Sequence, residues 1–277
     1  MDADLKSIAA ARRCADTAFE AYRQFLGTDP SKIDAIVDAM ANAIEPEVNR
    51  IVELAVAETG YGNAKDKRIK DMFNAVSVAD YLRDVTTLGM LWKDDATKVA
   101  AFGEPMGLVA ALIPVTNPTS TIIYKVLSAV KAGNAIVCAP HPRALRCGLE
   151  VTRLLANVAE QMGAPKGLIQ CLEHVTIQGT AELMSHKRTS VVMATGGPAM
   201  VKAAYSSGKP TLAVGAGNVP CYVNKSKAND IAEVAEQIVV SKSFDYGTAC
   251  VSEQAVVVDK EIARELRNEL KLKGAYF

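Results

Sequence analysis

From residue 108 onward the chain alternates short apolar runs with helical segments, and this alternation restricts its fold more than any other feature. Residues 108–113, 135–139, 168–172, 190–193 and 211–214 read as strands. Residues 120–130, 143–162, 177–186, 198–206 and 228–241 read as helices. The strand runs are almost wholly apolar rather than alternating, as expected of strands covered on both faces. Such strands interleaved with helices predict an α/β fold: a Rossmann-type, doubly wound parallel sheet with right-handed crossovers. Ligands of these sheets bind outside the carboxyl ends of the strands. Here those ends carry Pro114-Val115-Thr116-Asn117-Pro118, Pro140-His141-Pro142-Arg143, Thr195-Gly196-Gly197-Pro198 and Gly215-Ala216-Gly217-Asn218.

The first third of the chain reads differently. Residues 5–26, 33–58 and 66–85 carry apolar side chains at helical spacing, and Asp29-Pro30-Ser31 supplies a cap between the first two segments. Pro46 is placed to kink the second helix. These N-terminal helices hold no constellation that looks chemical and read as scaffold. Lys125, Lys131 and Lys202 fall on later helices, where solvated ends are the default reading.

Lys plus Arg and Asp plus Glu both number 31, so no charge excess points to nucleic acid. No apolar run has membrane-spanning length. The six cysteines form no CxxC pair, and with three histidines they give no zinc-site spacing. Reduced thiols without a secretory segment fit a cytoplasmic protein, and no metal is expected.

Against that background Cys250 stands apart. It ends the polar, glycine-containing bend Ser243-Phe244-Asp245-Tyr246-Gly247-Thr248-Ala249-Cys250, just before an apolar strand at 255–258, so its sulfur is presented rather than packed. Thr195-Gly196-Gly197-Pro198 joins a strand to a helix, where bare backbone N–H groups form an anion site suited to a pyrophosphate; taken alone, a plain tight turn is the better explanation. Asn117 can serve the turn before Pro118 or aim its amide at a developing oxyanion, a role worth roughly a hundred- to a thousand-fold in rate.

Taken in order, these segments resemble the aldehyde dehydrogenase superfamily, and most of all its acylating, coenzyme A-dependent branch. The stretches that carry the resemblance run from Pro105-Met106-Gly107 to Thr121, from Lys131-Ala132-Gly133-Asn134 to Ala144, from Ala194 to Pro210, from Val214 to Pro220 and from Ser241 to Gln254. The resemblance implies that Cys250 is the catalytic thiol and Asn117 the oxyanion-hole asparagine. It implies cofactor contacts at Thr116, at Thr195, Gly196 and Gly197 facing the phosphates, at Pro140, His141 and Pro142 near the adenosine ribose, and at Val214 and Gly215. NAD is the expected cofactor. NADP stays open, because Ala139-Pro140 stands where the hydrolytic branch has a lysine.

The hydrolytic branch also carries a water-activating glutamate in the loop matching Val214 to Asn218, and this chain has none there. Without a base for water, the acyl-enzyme is left to a better nucleophile, and a thiol needs less help. Coenzyme A is therefore the expected acyl acceptor and a short aldehyde (acetaldehyde, propionaldehyde or sulfoacetaldehyde) the substrate. Two alternatives stay open: a hydrolytic enzyme with a base from elsewhere, or a non-catalytic dinucleotide-binding or assembly module. The resemblance covers a cofactor-binding domain with N-terminal helices, residues 1–243, and only the opening of the catalytic domain, 244–277. On that reading the 277 residues alone show little or no dehydrogenase turnover, and the full-length protein is a homo-oligomer in the cytoplasm or a bacterial microcompartment.

Overall fold

The computed structural model describes residues 2–277. Helix α1 (Ala3–Phe25) starts on the Asp2 side chain, which accepts from the Asp4 N–H. Its buried face is a stripe of Ala11, Ala15, Ala18 and Ala21, whose small side chains let it lie close to the sheet. The predicted single helix over 33–58 is two, α2 (Pro30–Asn42) and α3 (Ile44–Thr59). Proline has no N–H and its ring clashes with the carbonyl four residues back. The helix therefore stops and restarts, leaving Pro46 in the first turn of α3, where no N–H is needed. The cap at Asp29 is present, accepting from Ser31 N–H at 2.8 Å.

The third predicted helix is α4 (Ala64–Met72), a π-helical segment Phe73–Val78 and α5 (Ala79–Arg83). A hairpin unforeseen in the sequence follows, β1 (Gly89–Asp94) against β2 (Val99–Gly103), antiparallel with a bulge between Met90 and Trp92.

The central sheet has five parallel strands: β3 (Leu108–Ile113), β4 (Ala135–Pro140), β5 (Ile169–Cys171), β6 (Thr189–Thr195) and β7 (Thr211–Val214). Their order is β5-β4-β3-β6-β7. Every residue of β3 and β4 is buried, which explains their unbroken apolar sequences. Helices α6 (Pro118–Lys131), α7 (Leu145–Gln161), α8 (Ile177–Ser185) and α9 (Pro198–Tyr205) make the crossovers. The chain runs outward from β3 in one direction through β4 and β5, then returns to place β6 on the other side of β3. This reversal opens a crevice between the carboxyl ends of β3 and β6.

Beneath that crevice lies Lys125, which the sequence reading left in solvent. It is 2% exposed, and its ammonium donates to the carbonyls of Leu112 and Met193, at 2.8 Å each. It thus ties β3 to β6 from below, and burial lowers its pKa to about 7. Lys131 is also buried and pairs with Asp34, whereas Lys202 is exposed as expected. Both buried lysines run against the rule that helix lysines end in water, because an acceptor waits for each inside.

A second, smaller unit comprises β8 (Val219–Val223), α10 (Ile231–Ser243), β9 (Glu253–Val258) and α11 (Ala263–Leu272), with β8 and β9 parallel. Val223, Ile231, Ala235, Ile238, Ile262, Leu266 and Leu270 form its core, separate from that of the main sheet. The expected boundary at 243/244 has α10 on one side and β9 and α11 on the other, all contributing to this core. Among the described residues no helix is long and apolar enough to cross a membrane, and no three metal-ligating side chains are grouped to hold an ion.

Candidate active site

The loops leaving β3, β4, β6 and β7 and the segment between α10 and β9 surround one cleft of about 740 Å³. Thr116, Asn117, Pro140, His141, Pro142, Thr195, Gly196, Gly197, Gly215 and Cys250 all line it. Of the residues singled out in the sequence only Val214 does not. It is exposed at the end of β7, where its carbonyl accepts from Gly196 N–H at 3.2 Å and fixes the glycine turn. Among the described residues that line the cleft there is no carboxylate, lysine or arginine.

The cysteines separate cleanly. Cys250 alone of the six is exposed. Burial pushes the other five thiols up: Cys138 reaches about 12, Cys147 goes further with Glu58 beside it, and Cys14, Cys171 and Cys221 also rise. A thiol held protonated is a poor nucleophile, which counts against those five.

Asn117 occupies the N-cap of α6, yet its side chain makes no capping hydrogen bond there. An asparagine at this position ordinarily caps its own helix. Instead Nδ2 donates to Thr116 Oγ1 at 3.0 Å and to the backbone carbonyl of Thr248 at 3.1 Å, two residues before the thiol. The amide thus bonds both within its own turn, to Thr116, and across the cleft, to Thr248, rather than capping α6.

What holds these groups in place comes from α4, which the sequence reading treated as scaffold. Lys67, 1% exposed, donates to the Thr116 carbonyl at 2.9 Å and to Asp245 Oδ2 at 3.0 Å. Lys70, one turn on, donates to Asn117 Oδ1 and to the same Asp245 oxygen. Asp245, fully buried, also accepts from Thr248 Oγ1 at 2.6 Å and from the Asn63 N–H at 2.8 Å. Burial alone would raise the Asp245 carboxyl; the hydrogen bonds from Lys70, Thr248, Asn63 and Lys67 outweigh it and hold the group below its ordinary value. For Lys70 the balance goes the other way, and burial lowers it despite Asp245.

The loop that makes these contacts is strained. Asp245 and Tyr246 both have left-handed backbone, at φ 49° and 56°, a region that side chains other than Gly, Asn and Asp seldom occupy. Opposite them is Gly62, at φ 68°, where a Cβ would overlap the Asp245 carboxylate. Lower in the same cluster Asp71, with no exposed surface, accepts from Thr119 Oγ1 at 3.0 Å while its Oδ2 has no partner.

At the far end of the cleft His141 Nδ1 accepts from the Arg143 N–H at 3.1 Å, and burial with the nearby Arg143 charge lowers the imidazole pKa. Arg143 is turned away from the cleft: it donates to the Thr59 carbonyl at 2.9 Å and lies over the Tyr61 ring. The first N–H groups of α7 are taken by Glu58, which accepts from Arg146 and Cys147 at 2.8 Å each. By contrast α9 opens after Gly196 and Gly197 with no side-chain cap.

An exposed thiol, an amide N–H beside its loop and a glycine turn at a helix start thus share one switch-point crevice. Residues 1–275 match the aldehyde dehydrogenase family. The chain belongs to that family. Within the aldehyde dehydrogenase family it is 43% identical over 246 residues to aldehyde-alcohol dehydrogenase 2 of Entamoeba histolytica, an alignment covering 89% of this chain and 28% of that protein. The crystal structure of an acetylating aldehyde dehydrogenase from Geobacillus thermoglucosidasius superposes with a TM-score of 0.94 at 49% identity, covering all of this chain and 61% of that one. A Rhodopseudomonas palustris propionaldehyde dehydrogenase, solved with CoA bound and a cysteine acylated, gives 0.84 at 32% identity, over 96% of this chain and 60% of that one. The chain thus spans between about a quarter and three fifths of these relatives.

Proposed function

We propose that this chain carries the cofactor cleft and the nucleophile of a CoA-acylating, NAD-dependent aldehyde dehydrogenase acting on a short aldehyde. The observation that carries the reading is the cleft itself, which brings Cys250 and Asn117 to one surface with no carboxylate to activate water. The thiolate of Cys250 attacks the aldehyde carbonyl, and the alkoxide is stabilised by the backbone at Cys250 and by Asn117 Nδ2, which exchanges its bond to the Thr248 carbonyl for one to the substrate oxygen. A bound nicotinamide dinucleotide supplies the acceptor for the two electrons and the hydrogen that leave the aldehyde carbon. Cys250 then holds the acyl group as a thioester. With no carboxylate in the wall, water attacks it slowly, while the more nucleophilic CoA thiol takes the acyl group and frees Cys250.

The residues fit such a cofactor. The volume suits a dinucleotide half-site, and α9 offers unpaired first-turn N–H groups at a glycine turn for a pyrophosphate. The β4 end supports NAD over NADP: Arg143 is committed to Thr59, His141 is held toward its neutral form, and Glu58 occupies the α7 N–H groups. Arg143 and the first N–H groups of α7 are thus already engaged and are not offered to a 2′-phosphate. We place the cofactor-binding unit at residues 1–243 and the opening of the catalytic unit at 244–277, the two joined through the small core that β8 and α10 share with β9 and α11, with assembly into a homo-oligomer.

The test is acyl-CoA and NADH formation from short aldehydes by the full-length protein, with and without CoA. CoA-dependent turnover that disappears in Cys250→Ala, with NAD affinity retained, is the expected result. Equal NADH and free carboxylate without CoA would overturn the acylating reading in favour of hydrolysis.

A further inference from the structure

We infer that Lys70 is a positioning residue, setting the Asn117 carboxamide so that its N–H side faces the loop bearing Cys250. The inference rests on the reading of Asn117 as the alkoxide donor and adds what makes that donor point the right way.

A carboxamide has two ends of similar shape, and rotating it by half a turn exchanges a donor for an acceptor. In this site the two neighbours are not exchangeable. Lys70 Nζ can only donate, and the Thr248 backbone carbonyl can only accept. The opposite rotamer would place Nδ2 against an ammonium group and Oδ1 against a carbonyl oxygen, two repulsive contacts in a half-buried setting. One orientation survives, with Nδ2 on the thiol side.

Lys70 is itself fixed. Its second partner is Asp245 Oδ2, which Lys67 and Thr248 Oγ1 also reach, at 3.0 and 2.6 Å. The contacts close a ring: Lys70 to Asn117, Asn117 to the Thr248 backbone, Thr248 Oγ1 to Asp245, and Asp245 back to Lys70. Lys67 ties the same carboxylate to the Thr116 carbonyl at 2.9 Å, so both residues before α6 hang from one helix. Lys67 and Lys70 lie three positions apart on α4 and therefore on one face. Neither lysine lines the cleft, so neither touches substrate. Their effect passes through Asn117 and the Thr248 backbone.

The experiment needs only groups this chain contains. p-Nitrophenyl acetate acylates a thiol through an alkoxide: the C–S bond forms, the C–O bond breaks and p-nitrophenolate leaves. Iodoacetamide alkylates the same thiol by displacing iodide, with no oxyanion. Both rates are measured for Cys250 in the 277-residue chain, with Cys250→Ala as the blank and thermal melting as the check on folding. Lys70→Met is expected to slow acylation about ten- to a hundred-fold while alkylation stays within about twofold. In an Asn117→Ala background the same substitution should change acylation by less than about twofold, because residues acting through one group are not additive.

Lys70→Gln keeps a polar amide that can present either end, so it should slow acylation about three- to ten-fold, again only when Asn117 is present. It serves if Lys70→Met does not fold. Equal slowing of both reactions, or an unchanged ratio of the two rates in both Lys70 variants, overturns the positioning role. So does an effect that persists undiminished in Asn117→Ala. Asn117→Ala acylating as fast as the parent removes the alkoxide-donor reading instead, a result distinct from failure of Lys70 alone.

Discussion

Asn117 Nδ2 and the carbonyl of Thr248 meet at 3.1 Å across 131 residues of chain. The loop after β3 and the loop before β9 are thereby one object, so the thiol and its amide neighbour move together. Three consequences can be measured.

Asp245 is the common acceptor of two ammonium groups and has no exposed surface. Asp245→Ala leaves Lys67 and Lys70 facing each other without a counter-charge, which should destabilise the protein by about 3–5 kcal/mol. Urea unfolding of parent and variant gives the value directly. A change under about 1 kcal/mol would show that water or a rearranged lysine replaces the carboxylate at little cost.

Asp71 gives a pH signature. Burial raises its carboxyl from 3.8 to about 7, against the Thr119 hydrogen bond and the charges of Lys70 and Lys67. A folded value above the unfolded one means a contribution fully present below the unfolded pKa and lost as pH rises through 7. Between pH 5 and 7.5 the parent should therefore lose stability relative to Asp71→Asn, by up to about 1.4 kcal/mol per pH unit. Urea-unfolding free energies at both pH values test this, and parallel pH curves for the two proteins contradict it.

Gly217 sits under the nucleophile loop. A Cβ there would lie 2.7 Å from the Cys250 carbonyl oxygen, a contact with backbone that cannot swing aside. Gly217→Ala should displace the thiol and slow acylation of Cys250 roughly tenfold or more. Because the loop is at the surface, the melting temperature should fall by only a few degrees, roughly the equivalent of 1 kcal/mol. Unaltered acylation kinetics would mean the loop absorbs the methyl group without moving sulfur.

The parts of the fold that were legible in the sequence are those whose signal is local. β3 and β4 are buried on both faces and read as unbroken apolar runs. Each cleft loop was marked by glycine or proline. The hairpin at 89–103 was not legible, because Met90, Trp92, Val99 and Phe102 are all exposed and the bulge breaks any alternation. β8 was hidden by Pro220, which normally argues against a strand.

Helix α4 misled for a physical reason. Apolar periodicity turns Ile69, and Phe73 just beyond the helix, inward, whereas both are about half exposed, and it is Lys67 and Asp71 that are buried. Their partners Asp245 and Thr119 lie 178 and 48 residues away, and no local pattern encodes such a pairing. The only sequence cue is two lysines three apart with an aspartate following, a pattern common on solvated helices.

The ring through Lys70, Asn117, Thr248 and Asp245 also bears on when the thiol acquires its setting during folding. It joins three stretches, 62–71, 116–119 and 245–248, and the contacts to Asp245 from α4 and its N-cap Asn63 span 175 to 182 residues. None of them can form until the last stretch has been synthesised and docked, and closures this distant come late. A nascent or partly unfolded chain therefore carries Cys250 as an ordinary, unguided sulfhydryl, open to oxidants and to stray disulfide exchange. The placement of Cys250 beside Asn117 is a property of the finished fold alone.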